Sequence, residues 1–348
     1  KEQSFWYLGF VLDAVLQYFL FESWGKISDT VKARVYNALS FVNMMIMADG
    51  NYPDFGDRDD GFVFRQSGRY DSSIFHQLIQ SGMEYWPDLQ NDQLIKNKSV
   101  NVSGNALLVH TYPDGGMTLA NQGRGRILFR HSDLGLETLY GHGHADALSV
   151  LFWWDQVPVL IDLGSGQYNG DQNIRNFFRS TIAHNTVEIG GESQSTILGP
   201  FMWDRSWRPV LHGVQDVPIC HISASHDGYV DRYSTVHQRN IDWPQPHQLT
   251  ITDHFSGLGG VPFRGAFHFG PCQAVRLENR TVVADFGSFN CSIEMPSNLK
   301  IDIFNGSSDP FSGWRTNIYG SWEPIFCMIF SGVLDINHYY SIQLKIDS

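Results

Sequence analysis

The chain opens with two stretches of helical periodicity. In residues 4–24, SFWYLGFVLDAVLQYFLFESW, apolar side chains at Phe5, Leu8, Val11, Val15, Leu16 and Phe19 recur at three- and four-residue steps. Ser28 or Asp29 then caps a second helix, which carries Val31, Val35, Leu39, Val42, Met45 and Ile46. Both have little polar face, so they are expected to pack among other helices. The stretch ADGNYPDFGDRDDGFVFR, residues 48–65, combines Gly50, Pro53, Gly56 and Gly61 with five aspartates and reads as a long loop. It is either a functional loop or a solvated acidic connector. A weaker third helix is expected over roughly 72–86, and the polar run 88–99 reads as a boundary.

From about residue 100 the period changes. Short runs such as SVNVSG, ALLVHTY, MTLAN, RILFRH, LSVLFWW, VPVLID, NTVEI, CHISAS, QLTITDHF, TVVADF, CSIEM and YYSIQLKI are separated by Gly, Pro, Asn and Asp. Many short strands with little helix predict a large antiparallel sandwich or stacked-sheet domain. No fixed-length repeat is evident, which argues against a propeller. The expected class is α+β in two parts, a helical domain over 1–99 and an antiparallel β-domain over 100–348.

Composition narrows the function classes. With 24 Lys plus Arg against 36 Asp plus Glu, the net charge is −12 and no basic stripe is visible, so nucleic acid is not an expected partner. A few arginines in a cleft can still bind a polyanion. Aromatics make up 14% of the 348 residues, enough to pack sheets and also to line a sugar cleft. Cys220, Cys272, Cys291 and Cys327 have no CxxC spacing, which speaks against a zinc ribbon and leaves open one disulfide or separate thiols. No run of eighteen apolar residues predicts a membrane span. The start, Lys1-Glu2-Gln3-Ser4, lacks signal-peptide character and reads as the interior of a fold.

The densest chemistry lies in 141–195, which begins GHGHADALSV. If extended, this segment would place His142, His144 and Asp146 on one face. Asp162 ends VPVLID and His184 lies in AHNTV. Two histidines and a carboxylate make a three-ligand site for zinc or a similar divalent ion, with a metal-free polar network as the alternative. A flat hairpin turning at Asp155-Gln156 would pair Ser149 with Asp162 and leave His144 about 17 Å away. Spacing alone therefore does not make the site.

GHGHADALSV, VLIDLGSGQYN and IRNFFRSTIAHNTVEIGGESQS resemble the signature region of the heparinase II/III-like polysaccharide lyases. The resemblance extends through YPDGGMTLA, SHDGYV and VHQRNI, and EQSFWYLGFVL resembles the family helix that carries a catalytic tyrosine. It implies the C-terminal part of an (α/α) toroid followed by an antiparallel β-sandwich. It further implies a metal held by His144, Asp162 and His184, with Tyr7 and His142 as the catalytic pair. Arg175, Arg179 and Tyr168 are expected at the substrate. The family also uses an Asn or His on an earlier toroid helix, which has no counterpart here, so either the chain is expected to be a fragment or the missing part to lie in another polypeptide. The implied activity is β-elimination on an acidic, uronate-containing polysaccharide in the periplasm or outside the cell. A non-catalytic carbohydrate binder and a metal-dependent hydrolase remain the alternatives.

Overall fold

The computed structural model describes residues 2–47, 49–63, 74–90, 107–216 and 219–347. Helix α1 (Phe5–Phe21) begins at Ser4, whose hydroxyl accepts from the Tyr7 amide. Helix α2 (Asp29–Met45) is capped in the same way by Ser28, which accepts from Val31 N. Helix α3 spans Ile74–Met83. The expected strand SVNVSG and most of the 88–99 boundary lie outside the described residues.

Most of the rest is antiparallel sheet. Five strands lie side by side in chain order: β1 (Leu107–Tyr112), β2 (Met117–Gln122), β3 (Gly125–Arg130), β4 (Val150–Trp154) and β5 (Val157–Leu160). An eight-stranded sheet runs from Ala274–Glu278 through Thr281–Asp285, Asn290–Glu294, Tyr339–Asp347, Gln248–Gly257, Thr235–Gln245 and Cys220–Tyr229 to Pro209–Gln215. A four-stranded sheet orders Lys300–Asn305, Phe326–Val333, Pro262–His268 and Val187–Ile189.

Alternation explains how the layers join. From β4, Val150, Phe152 and Trp154 enter a core shared with Ile222, Ile241 and Ile251 of the eight-stranded sheet and with Phe267 and Met328 of the four-stranded one. The opposite face, Leu151 and Trp153, packs with Phe5, Leu39, Val42 and Phe75 of the helices. A strand buried on both faces needs a continuous apolar run, which is why LSVLFWW does not alternate. The helical part is therefore seated directly on the five-stranded sheet. All four cysteines are free thiols.

Candidate active site

The segment that precedes β4 is not extended, which corrects the single-face reading of His142, His144 and Asp146. Asp146 N donates to His144 O at 2.9 Å, Ser149 N donates to Asp146 O at 3.1 Å, and Leu148 has φ +61°. The chain thus doubles back before the strand begins. Gly143 makes this close turn possible, because a Cβ there would sit 1.6 Å from Leu134 O. The hairpin does turn at Asp155-Gln156, both at positive φ, but its register shifts so that Phe152 faces Leu160. The fold-back before Ser149 removes the 17 Å objection.

Polar clamps from residues 185–194 hold this shape. The Gln194 amide accepts from Ala147 N at 2.9 Å and donates to Ala147 O at 3.0 Å, and Thr186 Oγ1 donates to the same carbonyl. Asn185 Nδ2 donates to both Val150 O and Ile161 O at 2.9 Å, joining the base of β4 to the end of β5. Arg239 donates to Leu148 O and Asn185 O while its fork grips Asp253 at 2.8 Å.

His144, Asp162 and His184 converge as a result. One ligand atom from each can be chosen so that all three lie within 4.8 Å of one another, and all three residues are buried. His184 Nδ1 lies 2.9 Å from Asp162 Oδ2, and His144 Nε2 lies 3.0 Å from Asp57 Oδ1. The other ring nitrogens, His144 Nδ1 and His184 Nε2, are buried without a hydrogen-bond partner. Orphaned imidazole nitrogens beside a carboxylate fit a divalent cation, and Asp57 would orient His144 as an outer partner. Burial pushes the His144 imidazole down against the opposing pull of Asp57. Burial opposes charge on His184 and Asp162 too, but their mutual attraction outweighs it, raising His184 and lowering Asp162.

Asp57 lies in the acidic loop, and no residue-level signal beyond that loop's composition marked it. It is fully buried. Arg175 Nη1 and Nη2 donate to its two oxygens at 2.5 and 2.6 Å, and His142 Nδ1 stands 3.5 Å from Oδ2. Burial would raise the Asp57 carboxyl, but Arg175 and the two histidines hold it far below the usual carboxylate range. Gly56 lets the loop pass under the start of α1, since a Cβ would meet Gln3 O at 2.2 Å. The solvated-connector alternative for this loop does not hold at Asp57.

Tyr7, on the first turn of α1, lies against His142, with ring centroids 3.9 Å apart and an interplanar angle of 25°. Tyr7 Oη donates to Asp59 Oδ2 at 3.0 Å, and Tyr168 Oη donates to Tyr7 Oη at 3.3 Å. Burial, with Asp59 and Asp57 nearby, raises the Tyr7 phenol against the opposing Tyr168 hydrogen bond. The His142 side chain is 30% exposed. With Phe201, Gly141, Leu139 and Glu2 it lines a cavity of about 470 Å³. A second cavity of about 500 Å³ reaches Asp162, Arg58 and Trp153 but neither Tyr7 nor His142.

The two arginines expected at the substrate are both buried. They lie on helix α4 (Gln172–Arg179), which Asp171 caps by accepting from Asn173 N. The Arg175 fork is taken up by Asp57 and by Pro200 O, with its guanidinium 4.8 Å from the Tyr168 ring. Its ion-pair partner is a carboxylate of its own chain. Arg179 donates to Gly199 O at 2.8 Å and lies over Trp203, leaving Nε and Nη2 without a hydrogen-bond partner. Burial lowers it to about 9, with neighbouring Arg175 contributing.

Solved structures similar to this one include a heparinase III, a heparan sulfate lyase and a xanthan lyase. The structure superposes on a heparinase III with TM-score 0.70 at 14% identity, covering 93% of this chain and 47% of that one. The heparan sulfate lyase HepC from Pedobacter heparinus gives TM-score 0.72 at 12% identity, covering 98% and 52%. A Paenibacillus xanthan lyase gives TM-score 0.50 at 10% identity, covering 98% and 38%. At these identities the likeness is one of fold, and the chain spans about half the length of the two heparin-type lyases. No curated protein sequence matches it. The sequence model of the C-terminal domain of heparinase II/III-like proteins matches residues 107–315, which is more than half of the chain, and the chain belongs to that family.

Proposed function

We propose that this chain carries the Tyr–His half of a polysaccharide lyase centre that cleaves a uronate-containing polymer by β-elimination. The observation that carries the reading is the face-to-face contact of Tyr7 and His142 at 3.9 Å, beside an open cavity. In such a reaction the C5 proton of the uronate leaves, the C4–O4 bond breaks, and a C4=C5 double bond forms. Two groups must reach neighbouring atoms of one sugar, one accepting the C5 proton and one protonating the leaving oxygen. Tyr7 and His142 have the residue types and the closeness for this. The negative charge that builds on the uronate carboxylate must also be offset. Arg179, with two unpartnered guanidinium nitrogens, is the cation proposed for that role, and Tyr168 packs edge-on to Phe201, which lines the cavity with His142.

Arg175 and Asp57 are read as support. Their pairing neutralises two buried charges and fixes both GHGH histidines from behind. His144, Asp162 and His184 would hold a divalent metal such as zinc, which would tie three segments together and lend positive charge to the site. The helices, over 1–99, are read as part of a toroid and the sheets, over 100–348, as a sandwich. Action in the periplasm or outside the cell is part of the same proposal. Among the described residues no helix is long and apolar enough to cross a membrane.

The test is the product. Incubation with glycosaminoglycan or alginate-type polymers is expected to release unsaturated uronates, seen by ultraviolet absorbance. Cleavage yielding only saturated reducing ends would overturn the reading in favour of hydrolysis.

A further inference from the structure

A tyrosine poses a difficulty as the acceptor of a carbon-bound proton. Its oxygen must give up its own hydrogen before or while it takes another, and burial of Tyr7 opposes a free phenolate. The hydrogen-bond chain around Tyr7 addresses this point. Tyr168 Oη donates into Tyr7 Oη, and Tyr7 Oη in turn donates to Asp59 Oδ2 at 3.0 Å. The Tyr7 hydrogen is therefore committed to Asp59, which leaves an oxygen lone pair to accept a proton, while His142, stacked on the Tyr7 ring, lines the cavity. The other carboxylate oxygen, Asp59 Oδ1, accepts from Gly61 N at 2.8 Å. That bond fixes the carboxylate plane and leaves Oδ2 for the tyrosine. Asp59 is half-buried, so it can exchange a proton with solvent between turnovers.

We propose that Asp59 is the proton-accepting partner of Tyr7, which makes Tyr7 the base and His142 the acid of the elimination. The inference rests on the lyase reading above and deepens it. As the C5–H bond breaks, the C5 proton passes to Tyr7 Oη and the Tyr7 hydroxyl proton passes to Asp59 Oδ2. The C–H electron pair becomes the C4=C5 π bond. The C4–O4 pair leaves on O4, which takes its proton from His142. Asp59 then releases one proton to solvent and His142 regains one. The balance closes without any co-reactant. Asp59 acts through Tyr7 and is a positioning and proton-accepting residue, not one that touches the sugar.

The discriminating variant is Asp59→Asn in the intact protein. An asparagine keeps an oxygen for Gly61 N and a group of similar size toward Tyr7, but it cannot accept a proton. The expected result is a fall in kcat of about 100-fold or more, the scale of general-base catalysis, with KM within about threefold and Tm unchanged. Asp59→Ala should lose activity in the same way and regain part of it with added formate, in proportion to formate concentration. A purely structural aspartate would show neither the kcat-only loss nor the rescue. An Asp59→Asn enzyme that keeps wild-type kcat overturns the inference while the lyase reading stands. So does an Asp59→Ala enzyme that formate leaves unchanged. A wild-type protein that forms no unsaturated product overturns the lyase reading itself.

Discussion

At the scale of single residues, Asp57 is the side chain on which the site converges. It binds Arg175 in both fork positions and receives His144, all at full burial. Removing one member of a buried ion pair strands the other, at a typical cost of about 3–5 kcal/mol. Asp57→Ala is therefore expected to lower the unfolding free energy by that amount, read as a shift of the urea midpoint at unchanged m; a loss below about 1 kcal/mol would mean the pair is not buried in solution. How legible these residues were follows from what each one needs. Tyr7, His142, His144, Asp162 and His184 stand in ordered motifs, and the fold brings Tyr7 to His142 and the other three together. Asp57 and Asp59 stand among five similar aspartates, and only the path of the loop separates them. That the arginines are buried was not legible, because the partner that takes up Arg175 lies 118 positions away.

At the scale of elements, the cap at Ser28 and the strands of the three larger sheets could be read from local pattern, since each depends on neighbours in sequence, whereas the short pairs such as Trp314–Ile318 with Ser321–Pro324 could not. Helix α4 was missed, although Asp171 at its cap and the spacing of Ile174, Phe177 and Phe178 carried the signal. The fold-back at 141–149 was not readable from alternation, because it is set by Gln194, Thr186 and Arg239 from distant segments. This assembly of separate segments gives the proposed metal its role as a tie between elements. If free metal stands 100-fold above its Kd, its removal costs about 2.7 kcal/mol of stability. Chelation is thus expected to lower Tm and to release a stoichiometric divalent ion, with any remaining product still unsaturated. A Tm unmoved by chelation, with no ion released, would contradict a metal at His144, Asp162 and His184.

At the scale of the whole molecule, stacking the sheets buries several histidines. Burial pushes the imidazoles of His131 and His268 down to about 4, and it depresses His226 as well. The unfolded chain binds these protons near the ordinary value of about 6.5. A depressed histidine therefore contributes stability that is fully present above about pH 6.5 and is lost as pH falls toward 4. The loss is up to about 1.4 kcal/mol per pH unit for each such group. Burial of Asp253 is outweighed by Arg239 and His237, which hold its carboxyl low, so a further loss sets in below about pH 4. Stability measured by urea unfolding is expected to fall steadily from pH 7 to pH 5, and a flat profile there would contradict neutral buried histidines. The order of helices and sheets was visible from the change of period, while the shared core between them was not. Which face of β4 meets the helices is decided by packing, even though both faces read as apolar.

The chemistry proposed for Tyr7 and His142 is an elimination. It is tested most directly by following the ultraviolet absorbance of C4=C5 uronate products from the wild-type protein beside Tyr7→Phe and His142→Ala. Unsaturated product is expected from the wild type, with a loss of about 100-fold or more in kcat for each variant and folding intact. Saturated products from the wild type, or a Tyr7→Phe variant with undiminished kcat, would contradict it.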